Sequence, residues 1–357
     1  MENDAMGFPY PKIDENKCID CGACEKVCSF NENYERPLPL DRPIAYAVRH
    51  KDLSEVMRSR SGAAFVAISD EILLKGGVVY GAGYDRNHRV IHKRATNKEE
   101  RDDFRGSKYV QSDLGNTFEN VKEDLKAGHW VLFSGTPCQT AGLLSFVGKQ
   151  YRDKLILVDI VCHGVPSPYI WKDYLSYQEN KYKDKIASFD FRDKQEKGWR
   201  VHFESFVFSN GSKIYDDLFK HLFYSHIILR NSCSRCLFAN LKRPSDLTIA
   251  DFWGWEKSVP DFNKDDKGIN LLLCNTKKGE VLFNSIKSSI DFKLVNLDDC
   301  LQPNLVKPSK YNPKRKQFED DYVKNGFRYI AYRYGNIGLR YNIGRVIRRL
   351  KKLVKGH

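Results

Sequence analysis

The amino-acid sequence predicts an α/β protein with a mixed sheet, a small four-cysteine module at the N-terminus and a basic helix at the C-terminus. Two strand–loop–helix units between residues 129 and 178 indicate an α/β core with parallel pairing. The cysteines of the module are tightly spaced, and residues 339–357 are rich in Lys and Arg. With 357 residues, of which 41% are hydrophobic and 13% aromatic, the chain is long enough for two domains with buried cores.

The N-terminal module, residues 1–36, contains Cys18, Cys21, Cys24 and Cys28 with the spacing C-x2-C-x2-C-x3-C. Bacterial ferredoxins ligate a 4Fe–4S cluster with this spacing. Zinc sites usually pair two CxxC units across a longer gap, and a plain thiol cluster is the other alternative. We therefore predict a ferredoxin-type 4Fe–4S module. The fourth cysteine of such a run usually serves a second cluster, so either all four cysteines close on one cluster or the module is half of a two-cluster domain.

Residues 44–128 are expected to begin the main domain. Apolar alternation predicts strands at 44–49, 76–85 and 90–93, and helical periodicity predicts helices at 63–75, 98–104 and 117–127. The second part, residues 129–310, is expected to contain strands at 130–134 and 155–162, each followed by a helix that begins at a proline. Further strands are predicted on both sides of an Asn210-Gly211 turn and at 247–255 and 269–275, with a helix at 279–288.

A second set of cysteines follows these strands. Cys138 lies at a predicted helix N-terminus, Cys162 ends a strand, and Cys233 and Cys236 form a CxxC pair. The four thiols could hold one iron–sulfur cluster, but a zinc site, a reactive thiol and inert buried thiols are alternatives.

The net charge of +13 is concentrated in the C-terminal segment, residues 311–357. Residues 339–357 carry seven Lys or Arg and no acid, which leaves only +6 (13 − 7) for the rest of the chain. This distribution and the lack of a reader motif argue against a nucleic-acid partner. An apolar stripe opposite the basic residues predicts an amphipathic helix that binds an anionic membrane surface or an acidic partner, with a solvated helix as the alternative.

Cysteine usage and the lack of a sorting signal predict a cytoplasmic protein. The chain has ten cysteines, no run of about 20 apolar residues and no secretory signal. Reduced, metal-binding thiols are therefore expected rather than disulfides. The basic tail would allow a peripheral position at the inner face of the membrane.

Five motifs together are characteristic of one family. They are RGSKYVQSD (105–113), FSGTPCQTAGL (133–143), DIVCHGVPSP (159–168), FRDK (191–194) and CSRC…SDLTIADFWG (233–254). They resemble the coenzyme F420 hydrogenase/dehydrogenase beta-subunit family, as a bacterial, polysaccharide-cluster-type member with a truncated ferredoxin domain. The resemblance implies an α/β flavoprotein with FAD and one or two 4Fe–4S clusters, and it implies that Cys138, Cys162, Cys233 and Cys236 ligate the cluster near the flavin.

The same resemblance implies an oxidoreductase. A ferredoxin-like donor protein would supply electrons through the clusters and FAD to an unidentified small-molecule or glycan-related substrate, in surface-polysaccharide biosynthesis. His163 is the expected proton donor, and Lys108 is the expected pyrophosphate partner. The expected flavin contacts are Ser61, Gly62, Arg105, Ser107, Lys108, Tyr109, Gly135, Thr136, Gln139, Asp251 and Trp253. The alternatives at these positions are ordinary packing, a solvated lysine and a structural histidine.

Two other functions fit parts of the sequence. One is a non-catalytic electron-transfer subunit, which would lack substrate-linked reoxidation of a bound flavin. The other is a zinc-stabilised nucleic-acid-binding protein, which would purify with zinc and without flavin. The sequence is also compatible with a homo-oligomer.

Overall fold

The protein is described here by a computed structural model that defines residues 1–31 and 39–338. The predicted amphipathic stripe at 339–357 lies outside these residues. The strands in the described part are β1 (Glu2–Asn3), β2 (Pro9–Tyr10), β3 (Ile44–His50), β4 (Val78–Tyr84), β5 (Val90–Ala95), β6 (Val131–Gly135), β7 (Leu155–Ile160), β8 (Ile186–Asp190), β9 (Glu204–Phe208), β10 (Lys213–Asp216), β11 (Leu247–Asp251), β12 (Asn270–Cys274) and β13 (Ile290–Val295).

The helices are distributed along the whole described chain. They are α1 (Ala23–Lys26), α2 (Leu53–Arg58), α3 (Ala64–Leu74), α4 (Lys98–Asp102), α5 (Thr117–Lys126), α6 (Pro137–Val147), α7 (Pro168–Tyr182), α8 (Leu218–Tyr224), α9 (Lys277–Ile286) and α10 (Arg315–Tyr334). Helix α10 is interrupted at Gly326, whose φ of 73° is not helical. Among the described residues, no helix combines the length and the apolar character needed to cross a membrane.

An eight-stranded mixed sheet forms the centre of the fold, in the order β13-β3-β12-β11-β7-β6-β4-β5. The four strands β11, β7, β6 and β4 are parallel, and antiparallel strands flank them on both sides. The sheet combines strands from both predicted segments, 44–128 and 129–310. The prediction of a mixed α/β sheet is confirmed.

Helices cover both faces of this sheet. Ile68 of α3 and Phe283 of α9 pack with apolar residues of the sheet on one face, and Val121 of α5 and Leu143 of α6 do so on the other. Parallel strands that are buried on both faces are expected to be continuous apolar runs. The β6 segment Val131-Leu132-Phe133 is fully buried, in agreement with this expectation.

A second core forms around α7, α8 and α10. It includes the small antiparallel sheet β10-β9-β8, whose β9–β10 turn contains the predicted Asn210-Gly211 pair. The β1–β2 hairpin at the N-terminus also belongs to this core, because Met6 and Phe8 are completely buried there. Residues 1–10 therefore pack against the main body of the protein.

The predicted strands and helices of the main domain are observed with end shifts of a few residues. Helices α6 and α7 begin at Pro137 and Pro168, as predicted. The sequence reasoning did not identify α2, α8 or β13. Strand β13 has mostly exposed side chains and pairs with β3, more than 200 residues earlier in the chain, so local patterning gives little signal for it.

Candidate active site

A cavity of about 500 Å³ lies at the edge of the sheet where β6, β7 and β11 end. These three strands are parallel, so the loops that follow them meet at one edge, which is where open α/β sheets bind ligands. The cavity wall also includes residues from the segments around 59–65 and 104–112. The topology therefore brings at least five separate parts of the chain to one cavity.

The predicted flavin contacts converge on this cavity. Of the eleven residues, every one except Gly62 lines it, and so does His163. A Cβ atom at Gly62 would lie 2.5 Å from the carbonyl oxygen of Val48 and 2.9 Å from the backbone nitrogen of Asn270. Gly62 thus allows the 59–64 loop to approach β3 and β12 closely. The neighbouring Ser61 hydroxyl donates a hydrogen bond to the carbonyl of Ile269, at 2.7 Å.

One side of the cavity is formed by the N-terminus of α6. Thr136 caps this helix in a reciprocal capping box with Gln139, and Pro137 occupies the first turn. The Gln139 amide also donates to Ser112 Oγ at 2.8 Å, which ties the helix start to the 104–112 segment. A helix N-terminus carries partial positive charge and free N–H groups, so this side favours an anionic group such as a pyrophosphate.

Lys108 and Arg105 mainly organise their own loop. The Lys108 ammonium group donates to the carbonyl oxygens of Asp103 and Arg105, at 2.9 and 2.6 Å. Burial lowers the pKa of Lys108 to about 7. Arg105 is paired with Glu55 and Asp102 at 2.5 and 2.7 Å. A third carbonyl oxygen, that of Gly106, lies 3.5 Å away, so the ammonium group is largely occupied within its own loop although the Lys108 side chain lines the cavity.

Four thiols gather beside the cavity. Each of Cys138, Cys162, Cys233 and Cys236 interacts electrostatically with the other three. The N–H groups of Gly164 and Val165 point at the sulfurs of Cys162 and Cys233, at 3.4 and 3.5 Å, and Thr136 Oγ1 lies 3.1 Å from Cys138 Sγ. Backbone N–H groups directed at sulfur are typical second-sphere partners of thiolate ligands. This arrangement fits the predicted cluster ligands.

The thiols are protected from solvent in a way that suits metal ligation. Burial raises the pKa of Cys138 and Cys162, and it raises the pKa of Cys233 to about 12. As free thiols, Cys138, Cys162 and Cys233 would stay protonated at neutral pH, so a metal would be needed to favour their thiolate forms. Within residues 1–31 and 39–338, no group of three or more His, Cys, Asp or Glu side chains is already in single-ion metal geometry.

A buried ion pair joins the two segments that carry these thiols. Arg243 lies 2.9 Å from Asp159, and both side chains are at most 1% exposed. The same guanidinium donates to the carbonyl of Ile160, two residues before Cys162, and to that of Phe238, two residues after Cys236. Arg243 therefore fixes the end of β7 relative to the CxxC loop.

His163 occupies the cavity wall directly after Cys162. Its Nε2 lies 2.8 Å from His226 Nε2, and its Nδ1 lies 3.1 Å from Asn304 Oδ1. Burial, followed by the neighbouring His226, lowers the pKa of His163. These contacts hold the imidazole at the cavity, where the sequence predicts a proton donor.

The N-terminal cysteines form a separate, exposed loop. Cys18, Cys21, Cys24 and Cys28 are all exposed, and Gly22, with φ 66°, precedes the short helix α1. An aromatic pair joins the loop to the main body. The ring of Phe30 packs edge-on against that of Phe238, with centroids 5.7 Å apart. Phe238 is two residues after Cys236, so this contact joins the two cysteine sets.

The sequence reasoning missed several side chains of the cavity wall. Arg60 and Arg192 are both buried there, and Tyr224 lies near them. Arg192 Nη1 lies 2.5 Å from Asp251 Oδ2, and Arg60 Nε lies 3.9 Å from the same oxygen. A usable signal existed for Arg192, which belongs to the FRDK motif, and for Arg60, which directly precedes Ser61.

Comparison with known proteins supports the family resemblance inferred from the five motifs. Residues 128–299 match the family model for the C-terminal part of the coenzyme F420 hydrogenase/dehydrogenase beta subunit. Residues 10–32 match a 4Fe–4S binding domain model. No curated protein sequence matches the chain.

A chain from a solved structure of the F420-reducing [NiFe] hydrogenase complex of Methanosarcina barkeri has a similar fold. It is 16% identical, with 81% of this chain and 89% of that chain covered and a TM-score of 0.50. The resemblance inferred from the five motifs is thereby confirmed. Over residues 128–299 the chain is similar to the coenzyme F420 hydrogenase/dehydrogenase beta-subunit family, and it carries an N-terminal 4Fe–4S binding motif.

Proposed function

We propose that the protein is an iron–sulfur flavoprotein oxidoreductase with FAD in the cavity and a 4Fe–4S cluster on each cysteine set. The observation that carries this proposal is that Cys162 belongs to both the second thiol group and the cavity wall. A redox centre on the thiols would therefore touch the ligand in the cavity. Similarity to a hydrogenase/dehydrogenase subunit family supports the oxidoreductase class.

The residues of the cavity suit FAD. Its volume and largely apolar wall are those of a cofactor site, and the α6 N-terminus offers N–H groups to a pyrophosphate. Gly135 has no side chain to obstruct that approach. When bound, the clusters would carry single electrons and the flavin would pair them for hydride transfer.

The chain's own residues then have distinct roles in this proposal. Cys18, Cys21, Cys24 and Cys28 hold the N-terminal cluster, and Cys138, Cys162, Cys233 and Cys236 hold the second. Phe30 positions the exposed loop against the segment that carries Cys236. His163 is positioned to donate a proton in the cavity. None of these roles requires a metal other than iron.

Exposure of the N-terminal cysteine loop supports a protein partner as electron donor. An exposed loop can approach a second redox protein closely, whereas the cysteines of the second thiol group are only partly exposed. A structurally similar chain is part of a hydrogenase complex. We propose a ferredoxin-like donor protein and a small-molecule or glycan-related substrate from surface-polysaccharide biosynthesis.

The test is the iron, sulfide and flavin content after anaerobic purification. We expect about eight irons and one FAD per chain. Cys162→Ser should lose about half of the iron, and Cys24→Ser the other half, whereas Cys300→Ser should retain all of it. Cys300 is a suitable control because it is buried away from both sets, with its sulfur 3.1 Å from the Asn296 carbonyl. Zinc without flavin in the purified protein would contradict the proposal.

A further inference from the structure

The cavity has a second polar region at the ends of β11 and β3, away from the α6 N-terminus. Arg60 and Arg192 line it together with Asp251, Trp253 and Tyr224. In the sheet, β11 is two strands away from β6, which corresponds to roughly 10 Å at the usual spacing between strands. A cofactor phosphate at α6 and a ligand at Arg60 and Arg192 would therefore occupy different ends of one cavity.

Positive charge exceeds negative charge at this end. Arg60 is 9% exposed and Arg192 is 4% exposed, and the carboxylate of Asp251, whose side chain is 14% exposed, pairs with both. Burial would raise the pKa of Asp251, but Arg192 and Arg60 outweigh it and lower the pKa. Asp251 is thus ionised, and two guanidinium groups against one carboxylate leave a surplus of one positive charge (2 − 1).

Neighbouring groups do not remove this surplus. Lys194 is a third buried cation and donates to backbone carbonyls, with a pKa lowered to about 7 by burial and then by Arg60. Asp190 is exposed, so water screens its charge. His202 is neutral because burial, and then Arg192 and other cations, lower its pKa to about 2. A buried positive charge without a partner is unfavourable, so this end favours an anion.

Both arginines also have a free donor. Among the described residues, neither Arg60 Nε nor Arg192 Nε has a hydrogen-bond partner, although both atoms are buried. Their other nitrogens are held by the Trp199 carbonyl, and Arg192 also bonds Asp251. The guanidinium groups are therefore fixed in place with unused N–H groups. Buried polar atoms without partners are rare in folded proteins and indicate a missing ligand or water.

Aromatic side chains border the same region. Trp253 is 41% exposed and Tyr224 is 50% exposed, which is unusual for aromatic residues in a cavity wall. Trp253 is held by stacking on the buried Trp199, with centroids 4.6 Å apart. Exposed aromatic rings offer contact area to a flat or ring-shaped molecule.

We propose that this end of the cavity is a substrate subsite that binds the carboxylate or phosphate of a ring-bearing organic anion. Arg60 and Arg192 would bind the anionic group, and Trp253 and Tyr224 would contact the ring. The proposal rests on the proposed function, since it assigns the flavin to the other end of the cavity. It limits the substrate to an anionic ring compound.

The test compares benzoate, phenyl phosphate and the neutral benzamide by calorimetric titration of the flavin-loaded protein. We expect benzoate or phenyl phosphate to bind at least tenfold more tightly than benzamide, and the tighter of the two identifies the anionic group. Arg60→Gln should weaken binding of that probe at least tenfold. Asp251→Asn should tighten it severalfold, because it removes the carboxylate that pairs with both arginines. Arg89→Gln, an exposed arginine paired with Asp85, should change nothing.

Opposite effects of Arg60→Gln and Asp251→Asn cannot both arise from damage to the fold. Equal affinity for benzamide, unchanged binding in Arg60→Gln or weaker binding in Asp251→Asn would overturn the proposal. If Arg60→Gln loses flavin while the flavin-free protein binds benzoate as before, the arginines serve the flavin and the proposal also fails. Iron and flavin contents of the same samples test the proposed function separately.

Discussion

The Arg243–Asp159 ion pair should be essential for stability and for the second cluster site. We consider the substitution Arg243→Gln. It leaves the Asp159 carboxylate buried with the hydroxyls of Thr248, at 2.6 Å, and Ser245 as its remaining side-chain partners. It also removes the donors that hold the carbonyls of Ile160 and Phe238, at 2.9 and 2.8 Å.

The expected loss follows from this burial. Breaking a buried ion pair from one side typically costs about 3–5 kcal/mol, because the remaining charge has no partner. The free energy of unfolding of a whole domain is typically about 5–15 kcal/mol. The expected loss is therefore a third or more of the total stability in many proteins. The double variant Asp159→Asn/Arg243→Gln removes the uncompensated charge and should recover about 1–3 kcal/mol. Arg89→Gln, which breaks the exposed ion pair between Arg89 and Asp85, should lower the free energy of unfolding by at most about 1 kcal/mol.

Urea unfolding of the cluster-free protein, followed by far-UV circular dichroism, measures these differences without interference from iron loss. Iron content of the anaerobically purified protein gives the second readout, and Arg243→Gln should lose about half of it. A stability loss below about 1 kcal/mol would refute the assigned importance of the pair. Full iron content in a folded Arg243→Gln variant would refute its role in positioning Cys162 and Cys236.

Three further predictions use the fold and its cysteine loop. Gly62→Ala should lower the free energy of unfolding in urea by about 1–3 kcal/mol, because the added Cβ would overlap the backbone of the neighbouring strands. Gly142→Ala is the control: its Cβ has ordinary space inside α6, so the free energy of unfolding should rise by up to about 1 kcal/mol. Burial lowers the pKa of His92 from 6.5 to about 4, so this histidine should destabilise the fold as the pH falls from 6.5 to 4. Thermal unfolding should show that its contribution, up to about 3 kcal/mol of the free energy of unfolding, is absent in His92→Gln. Phe30→Ser should release the cysteine loop and accelerate tryptic cleavage within it, and the exposed Val281→Ser should not; equal cleavage rates would contradict the anchoring role.

The elements that could be predicted from sequence have strong local signals. Strands β6 and β7 are short apolar runs that end in turns, and Pro137 and Pro168 mark the starts of the helices that follow. Parallel pairing of these units implied that their loops meet at one edge, which is where the cavity is. The cysteine spacing likewise indicated iron–sulfur ligation, and residues 10–32 match a 4Fe–4S binding domain.

What could not be predicted depends on contacts between distant segments. Arg60, Arg192 and Asp251 belong to three separate parts of the chain, and although each lies in or next to a predicted motif or contact, the sequence does not show that the two arginines pair with Asp251. The same holds for Arg243, whose partner Asp159 is 84 residues away. An ion pair between distant residues leaves no periodic pattern in the sequence, so only the folded structure reveals it.

The position of β7 explains why the thiol group and the cavity share a wall. Strand β7 has parallel neighbours on both sides, β6 and β11, so the loop after it is central at the ligand-binding edge. That loop contains Cys162 and His163, and Arg243 fixes it against the CxxC loop. Any ligand that spans the cavity from α6 to Arg60 must therefore pass the segment that carries Cys162 and His163. Proximity of the two sites is a consequence of strand order, and it should persist in variants that alter either site alone.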